Sequence, residues 1–378
     1  MNYYFIYSAG GGGGDWNGLK RIWNDSMSES IKSSILLKFG DIFFNHVSSS
    51  NITRPNRWSN ITNLRDWLFK ATNDPYVLND SDILLDSGSA KIVGWIAHHN
   101  PNISCKEVID IFDDVINDNN ILEKYVDIII DSNITYAITF DIPNPFKIRS
   151  QNGDTRLNIL GDTNNSELIK ASALYANKIY SILKIKAPHL SIDDILMTTI
   201  NGNWSLDEFK LFFELLDYNP KNLAIGGLSG ASASNLSEVI PKLKELSLHK
   251  YQKVHFLGCG GLKKISVLKE SGFSDDDFSV DVSTPINRAI DGNKRNTSFS
   301  AYYDYSSLSM YRIKDNTHDD ILNLHINTKD TLFSNEQMKE ILADIILHQH
   351  GKSSDKTYDS RAKLIIHNND VYKQYAKK

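Results

Sequence analysis

The segment Phe278-Ser-Val-Asp281-Val-Ser-Thr-Pro285-Ile-Asn-Arg-Ala-Ile-Asp-Gly292 ends a strand-like run in a carboxylate, then continues with a proline-led turn and a glycine. In a parallel α/β protein the loops that leave the strands converge on one mouth, so side chains at strand ends collect there. Two other apolar runs end the same way. Ile83-Leu-Leu85 stops at Asp86 and is followed by Ser87-Gly88-Ser89, while Tyr136-Ala-Ile-Thr-Phe140 stops at Asp141, with Pro143 beyond it. Taken singly, each aspartate reads more readily as a cap or turn residue. Three acids at three strand ends predict one acidic pocket.

Around these ends the chain alternates between two patterns. Short apolar runs predict strands at 3–7, 42–47, 83–85, 136–140, 195–200, 223–225, 254–257 and 278–280. Helices are predicted at 106–117, 166–183, 206–216, 236–246 and 262–271. Apolar residues at Leu168, Ile169, Ala171, Leu174, Ile179 and Ile182 give the second of these an amphipathic face, and Ser205 with Glu208 forms a capping-box signature before the third. Alternating strands and helices argue for a parallel sheet. Eight strands favour an α/β fold of the (β/α)8 TIM-like barrel type over an open doubly wound sheet. The Asn/Ser/Asp-rich stretches 48–80 and 142–165 read as insertions or long loops. After Gly292 the pattern changes, so residues 1–292 are expected to form the barrel. Residues 293–378 are expected to be a C-terminal appendage packed on it, with a helix at 335–348.

With 378 residues, 41% of them hydrophobic and 10% aromatic, there is ample material for a buried core. The net charge of −5 does not advertise a nucleic-acid partner, though a local basic patch would suffice for one. Two cysteines, Cys105 and Cys259, provide neither a disulfide framework nor a four-cysteine zinc site, and suit a reducing compartment. The start of the chain lacks the basic and apolar regions of a signal peptide, and no run reaches membrane-span length. The expectation is a soluble cytoplasmic protein, in the host cytoplasm if the chain is phage-encoded.

Several other motifs divide between structural and functional readings. Gly10–Gly14 follows a strand, but Asp15-Trp16 stands where a phosphate-binding loop needs Gly-Lys-Ser/Thr, so a flexible rim loop is favoured. Gly226-Gly227-Leu228-Ser229-Gly230 and Gly258-Cys259-Gly260-Gly261 follow successive strands. One such turn is ambiguous; two in succession favour a pocket floor lined by bare backbone. His318, His348 and His350 read better as surface histidines than as metal ligands, and no metal is expected. Lysine and arginine pairs such as Arg54/Arg57, Lys263/Lys264 and Lys377/Lys378 read mostly as solvated surface. Arg288, Lys294 and Arg295 carry more weight because they flank the Asp281 mouth, where a phosphate backbone would lie.

In this order the motifs resemble the tRNA-guanine transglycosylase superfamily. The family pattern appears as Asp86-Ser87-Gly88, Asp141, Asn201-Gly202 in place of Gln-Gly, Gly226-Gly227-Leu228, Gly258-Cys259-Gly260, and Asp281 followed by Pro285 and Gly292. The resemblance covers residues from about 80 to 295. It implies a (β/α)8 barrel that exchanges guanine for a 7-deazaguanine without cutting the strand. The departures are informative. No cysteine lies beyond Cys259, so the zinc motif of the tRNA-acting members is missing. Ser232 stands where the bacterial tRNA enzymes have a glutamate, and Ala90 where an aromatic covers the base. These differences are most like the DpdA-type branch of phages and bacteria, which inserts 7-deazaguanines into DNA.

The resemblance implies Asp281 as nucleophile and Asp86 as general acid/base. Ser87, Asp141, Asn201, Gly227, Leu228 and Gly258 would form the base site, and Arg288, Lys294 and Arg295 the phosphate contacts. DNA and a free 7-deazaguanine, with a neutral 7-cyano group favoured by Ser232, are the implied partners, alongside a homodimer; no cofactor is called for. The rivals are a tRNA-acting transglycosylase, a non-catalytic nucleic-acid-binding partner subunit, and an unrelated (β/α)8 lyase or aldolase. The last is less attractive because no clear Schiff-base lysine is evident at a strand end.

Overall fold

The computed structural model describes residues 1–7, 23, 29–53, 60–100, 102–143, 158–159, 165–290, 301–304, 307–313, 320, 332–347 and 355–378. Eight strands form its centre: β1 (Asn2–Tyr7), β2 (Ser34–Lys38), β3 (Asp82–Asp86), β4 (Tyr136–Ile138), β5 (Leu196–Asn201), β6 (Asn222–Gly226), β7 (Lys253–Phe256) and β8 (Phe278–Asp281). Each pairs with its neighbours in parallel, and β8 returns to pair with β1, so the sheet closes into a barrel. The expected (β/α)8 barrel is the observed architecture.

Side-chain alternation along the strands sorts the core into two layers. Tyr4, Ile6, Leu36, Leu84, Ile138, Met197 and Ala224 fill the barrel interior as one buried cluster. The alternate residues, such as Phe5, Ile35, Leu37, Ile83 and Leu85, pack outward against the helices. Two steps beyond Leu36 and Leu84, the same inward face carries Lys38 and Asp86, which are register partners across β2 and β3. Asp281 is the register partner of the inward-facing Tyr4. The polar site is therefore the top layer of the same packing that fills the barrel.

The expected second strand at 42–47 is wrong. The strand is Ser34–Lys38, and Phe39–Phe43 is helical. Phe39 and Phe43 are four residues apart, as on one helix face, and their rings lie 4.5 Å apart, so this apolar run is buried by a helical turn. The stretch 48–80 is also more ordered than an insertion. It contains the helix Leu64–Thr72, whose N-terminus is capped by Asn63 accepting from the Asp66 N–H, and the short helix Tyr76–Asn79. The helices Ser89–His99 and Ile121–Asp131 were not anticipated. Of 142–165, only short pieces are described; Asn158–Ile159 pairs with Asn102–Ile103.

The last helix, Asp355–Lys377, packs on β1, on the helix Thr284–Ile290 that follows β8, and on the helix Leu262–Glu270. Tyr3 Oη donates to Asn369 Oδ1 at 2.9 Å, and Lys373 Nζ donates to Ser33 Oγ at 2.9 Å. Asn368 Nδ2 donates to the Ala301 carbonyl at 3.0 Å. Leu364, Ile365, Ile366 and Val371 are fully buried. This helix covers the seam where the barrel closes. Among the described residues no helix is long and apolar enough to cross a membrane.

Candidate active site

Asp281 ends β8 and is 4% exposed. Its Oδ1 accepts from the Gly258 N–H at 2.8 Å and lies 3.0 Å from His255 Nε2, which carries the hydrogen because an ionised carboxylate only accepts. The far side of the imidazole, Nδ1, is 2.9 Å from Ser279 Oγ. His255 is fully buried, faces the barrel axis from β7 and packs edge-on against Tyr4 at 5.5 Å. Burial alone pushes the Asp281 carboxyl up. The His255 ring, the Lys38 charge and the Gly258 N–H outweigh that and hold it below the ordinary carboxylate value. Oδ2 has no hydrogen bond among the described residues. One oxygen is anchored and the other is available.

Asp86 is held in the opposite sense. Burial raises its pKa, and the charges of Asp281 and Asp41 add to the rise; Lys38 and the Gly88 N–H oppose it without cancelling it. Asp141 behaves similarly, with burial and the Asp86 charge pushing it up to about 7. Ser89 links the two loops, since its Oγ lies 2.8 Å from Ser87 Oγ and accepts from the Asp141 N–H at 3.3 Å. Ser87 is buried, and its hydroxyl is engaged with Ser89 inside the loop.

Lys38 was overlooked because its strand was misplaced. It sits at the end of β2, beside Asp86, with Asp41, Asp86 and Asp281 all acting on it. Burial lowers its pKa, but the three carboxylates together raise it above the ordinary lysine value. Asp41 also faces Lys91, whose Nζ lies 3.5 Å from it and donates to the Gly40 and Phe44 carbonyls. The loops carrying Lys38 and Asp86 touch through bare backbone. A Cβ on Gly88 would lie 2.4 Å from Gly40 Cα, and Gly88 has φ +75°.

The two glycine-rich turns are joined by Lys264. Its ammonium donates to the carbonyls of Leu228, Ser229 and Gly258 at 2.8, 2.9 and 3.3 Å. Read from sequence as part of a solvated pair, this lysine is in fact a staple between the loops after β6 and β7. Its hold on Gly258 reaches Asp281, because the Gly258 N–H is the one bound to Oδ1. Gly258 and Leu228 thus spend backbone groups on the scaffold. Asn201 Oδ1 accepts from the Asn203 N–H at 3.0 Å, and Asn203 Nδ2 donates to the Gly227 carbonyl at 2.9 Å. The Asn201 amide nitrogen has no partner among the described residues.

The structure therefore gathers Asp86, Asp141 and Asp281 at the strand-end mouth, with Asn201 at the end of β5 and Gly227, Leu228 and Gly258 in the adjoining loops. Lys38, His255 and Lys264 complete the arrangement and were missed. Each had a weak signal: a charge ending an apolar run, a polar residue within one, and a lysine just after a glycine turn. Arg288 lies on the helix Thr284–Ile290, but its side chain, like Lys294, Arg295 and the Gly10–Gly14 run, lies outside the described residues. His318, His348 and His350 also lie outside them. Among the described residues no cluster of His, Cys, Asp or Glu is arranged to hold a metal ion. No family model matches the chain, and no curated protein does.

Proposed function

We propose that the chain is a base-exchanging glycosyltransferase that replaces guanine in DNA by a 7-deazaguanine, with a 7-cyano substituent favoured by Ser232. What supports this reading is the split between two carboxylates at one mouth, Asp281 held ionised and Asp86 held toward its protonated form. Pairs pushed apart in this way suit a nucleophile and a general acid. Asp281 Oδ2 attacks the anomeric carbon as the bond to guanine breaks, giving a glycosyl ester; the bonding pair leaves with the base, which takes its proton from Asp86. The incoming base then gives a proton to Asp86 and displaces Asp281, restoring both groups. The raised pKa of Asp141 keeps part of its population neutral near pH 7, so it can donate as well as accept at a base edge. A duplex target must first be flipped out or opened. Arg288, Lys294 and Arg295 are assigned to flanking phosphates, which makes binding salt-sensitive.

The test is incorporation of labelled guanine or 7-cyano-7-deazaguanine into DNA and tRNA side by side, with trapping of a DNA adduct on Asp281. Exchange into DNA that is abolished by Asp281→Ala supports the proposal. Exchange at the normal rate in that variant overturns it, and exchange confined to tRNA overturns the DNA assignment.

A second reading follows from Lys38, which supplies the strand-end lysine of a (β/α)8 lyase or aldolase. An imine-forming lysine needs a depressed pKa. Three carboxylates hold Lys38 in the opposite direction, which favours a fixed cation. Borohydride trapping of a carbonyl compound on Lys38 would reverse that preference.

A further inference from the structure

We propose that Lys38 is a positioning residue for the exchange chemistry: one strand from Asp86, two strands from Asp281 and on the same inward face, its ammonium is the shared counter-charge for whichever carboxylate is ionised. This deepens the transglycosylase reading and rests on it for its chemical meaning.

The barrel order runs β3, β2, β1, β8, so Lys38 stands between the two acids along the rim. Its ammonium makes no hydrogen bond or close ion pair among the described residues. It is therefore not committed to either carboxylate, and the charges it answers are Asp41, Asp86 and Asp281. Asp41 has the Lys91 ammonium beside it. The contact of Gly40 with Gly88 fixes the β2 and β3 loops against each other, which sets the spacing of Lys38 from Asp86.

The chemistry conserves charge around this point. Before attack Asp281 is ionised and Asp86 carries the proton. After attack Asp281 is an uncharged ester, and Asp86, having protonated the leaving base, is ionised. One negative charge has moved from one side of Lys38 to the other, so beside the constant charge of Asp41 the ammonium faces one of the two exchanging anions at each stage. A cation bonded tightly to either acid would favour one stage at the expense of the other.

Other charges bear on the same acids. Asp281 also faces His255, and its charge acts on Tyr3 and Cys259, the latter facing Lys264 as well. Asp86 acts on Asp141 and Tyr125. The cations among these groups, His255 and Lys264, do not lie between the two acids in the strand order, so Lys38 is the cation whose removal shifts both.

The experiment is titration of the aspartate carboxyl carbons by NMR in the full-length protein, with Asp86→Asn and Asp281→Asn assigning the two resonances. In Lys38→Met both titrations move to higher pH, Asp86 by about one unit or more, the scale of losing a neighbouring opposite charge. Asp281 moves less, because His255 and Gly258 remain. Lys38→Arg keeps the charge and leaves both near their wild-type positions; Lys38→Gln serves as the neutral variant if Met does not fold. Unmoved titrations in the neutral variants, or shifts in Lys38→Arg as large as in Lys38→Met, overturn the role. No substrate is used, so a failure of base exchange leaves this result standing, and unmoved titrations in an active transglycosylase reject Lys38 alone.

Discussion

Asp281, buried, and Asp141, partly exposed, show how two aspartates a few strands apart acquire opposite proton affinities. Asp281 is low because His255 and Gly258 bond one oxygen directly; removing the ring removes the strongest of the opposing influences. In the proposed mechanism exchange requires ionised Asp281 and is lost as pH falls through its pKa. His255→Gln raises that pKa, so the acid limb of the rate profile moves to higher pH while the alkaline limb, governed by Asp86, stays in place; initial rates across pH check this. Asp141 has its sign reversed. Its folded pKa of about 7 lies above the ordinary 3.8, so between those values the unfolded chain binds fewer protons. Its contribution therefore turns unfavourable as pH rises from about 4 to 7. Asp141→Asn is expected to stabilise the protein at pH 8 by about 1–2 kcal/mol, a figure discounted for its partial exposure, and to have no such benefit at pH 4. Denaturant unfolding at the two pH values measures it.

At the level of strands and loops, the proposed nucleophile depends on a turn that does not contain it. Gly258 has φ +68°, and a Cβ there would lie 2.5 Å from Ser229 Cβ. Gly258→Ala is expected to cost about 1–3 kcal/mol of stability and to displace the N–H that anchors Asp281, lowering exchange more than stability alone explains. Lys264→Met leaves that turn sterically intact but frees three carbonyls. It should reduce kcat roughly 10- to 100-fold with a smaller effect on KM, since the loss is of alignment. Steady-state kinetics beside thermal melts separate these two variants. The strands were legible because apolar runs of three to six residues bounded by polar loops are a local signal. The error at 42–47 arose because Ile42, Phe43 and Phe44 also form an apolar run, and only packing shows that a helical turn buries them. Losing β2 there hid Lys38.

In the whole molecule, the two ends of the chain meet. Tyr3 on β1 bonds Asn369 on the last helix, and Gly260 fits against both Tyr3 and the backbone of Asp281. The barrel seam, Asp281 and the C-terminal helix are therefore one packing unit. Deleting residues 355–378 exposes the outer face of β1 and removes the Tyr375 carbonyl from Lys269 Nζ and the Lys373 ammonium from Ser33 Oγ. The expected result is a chain with no cooperative thermal transition and no exchange activity; a truncated protein that melts near the wild-type temperature would contradict it. By itself, the sequence determined the alternation of strands with helices, and three aspartates at strand ends, because both are written in neighbouring residues. The tertiary structure alone decided which groups share the mouth. Lys38, His255 and Asp281 come from three different strands, and their coupling is a matter of distance around a closed ring, which no local pattern records.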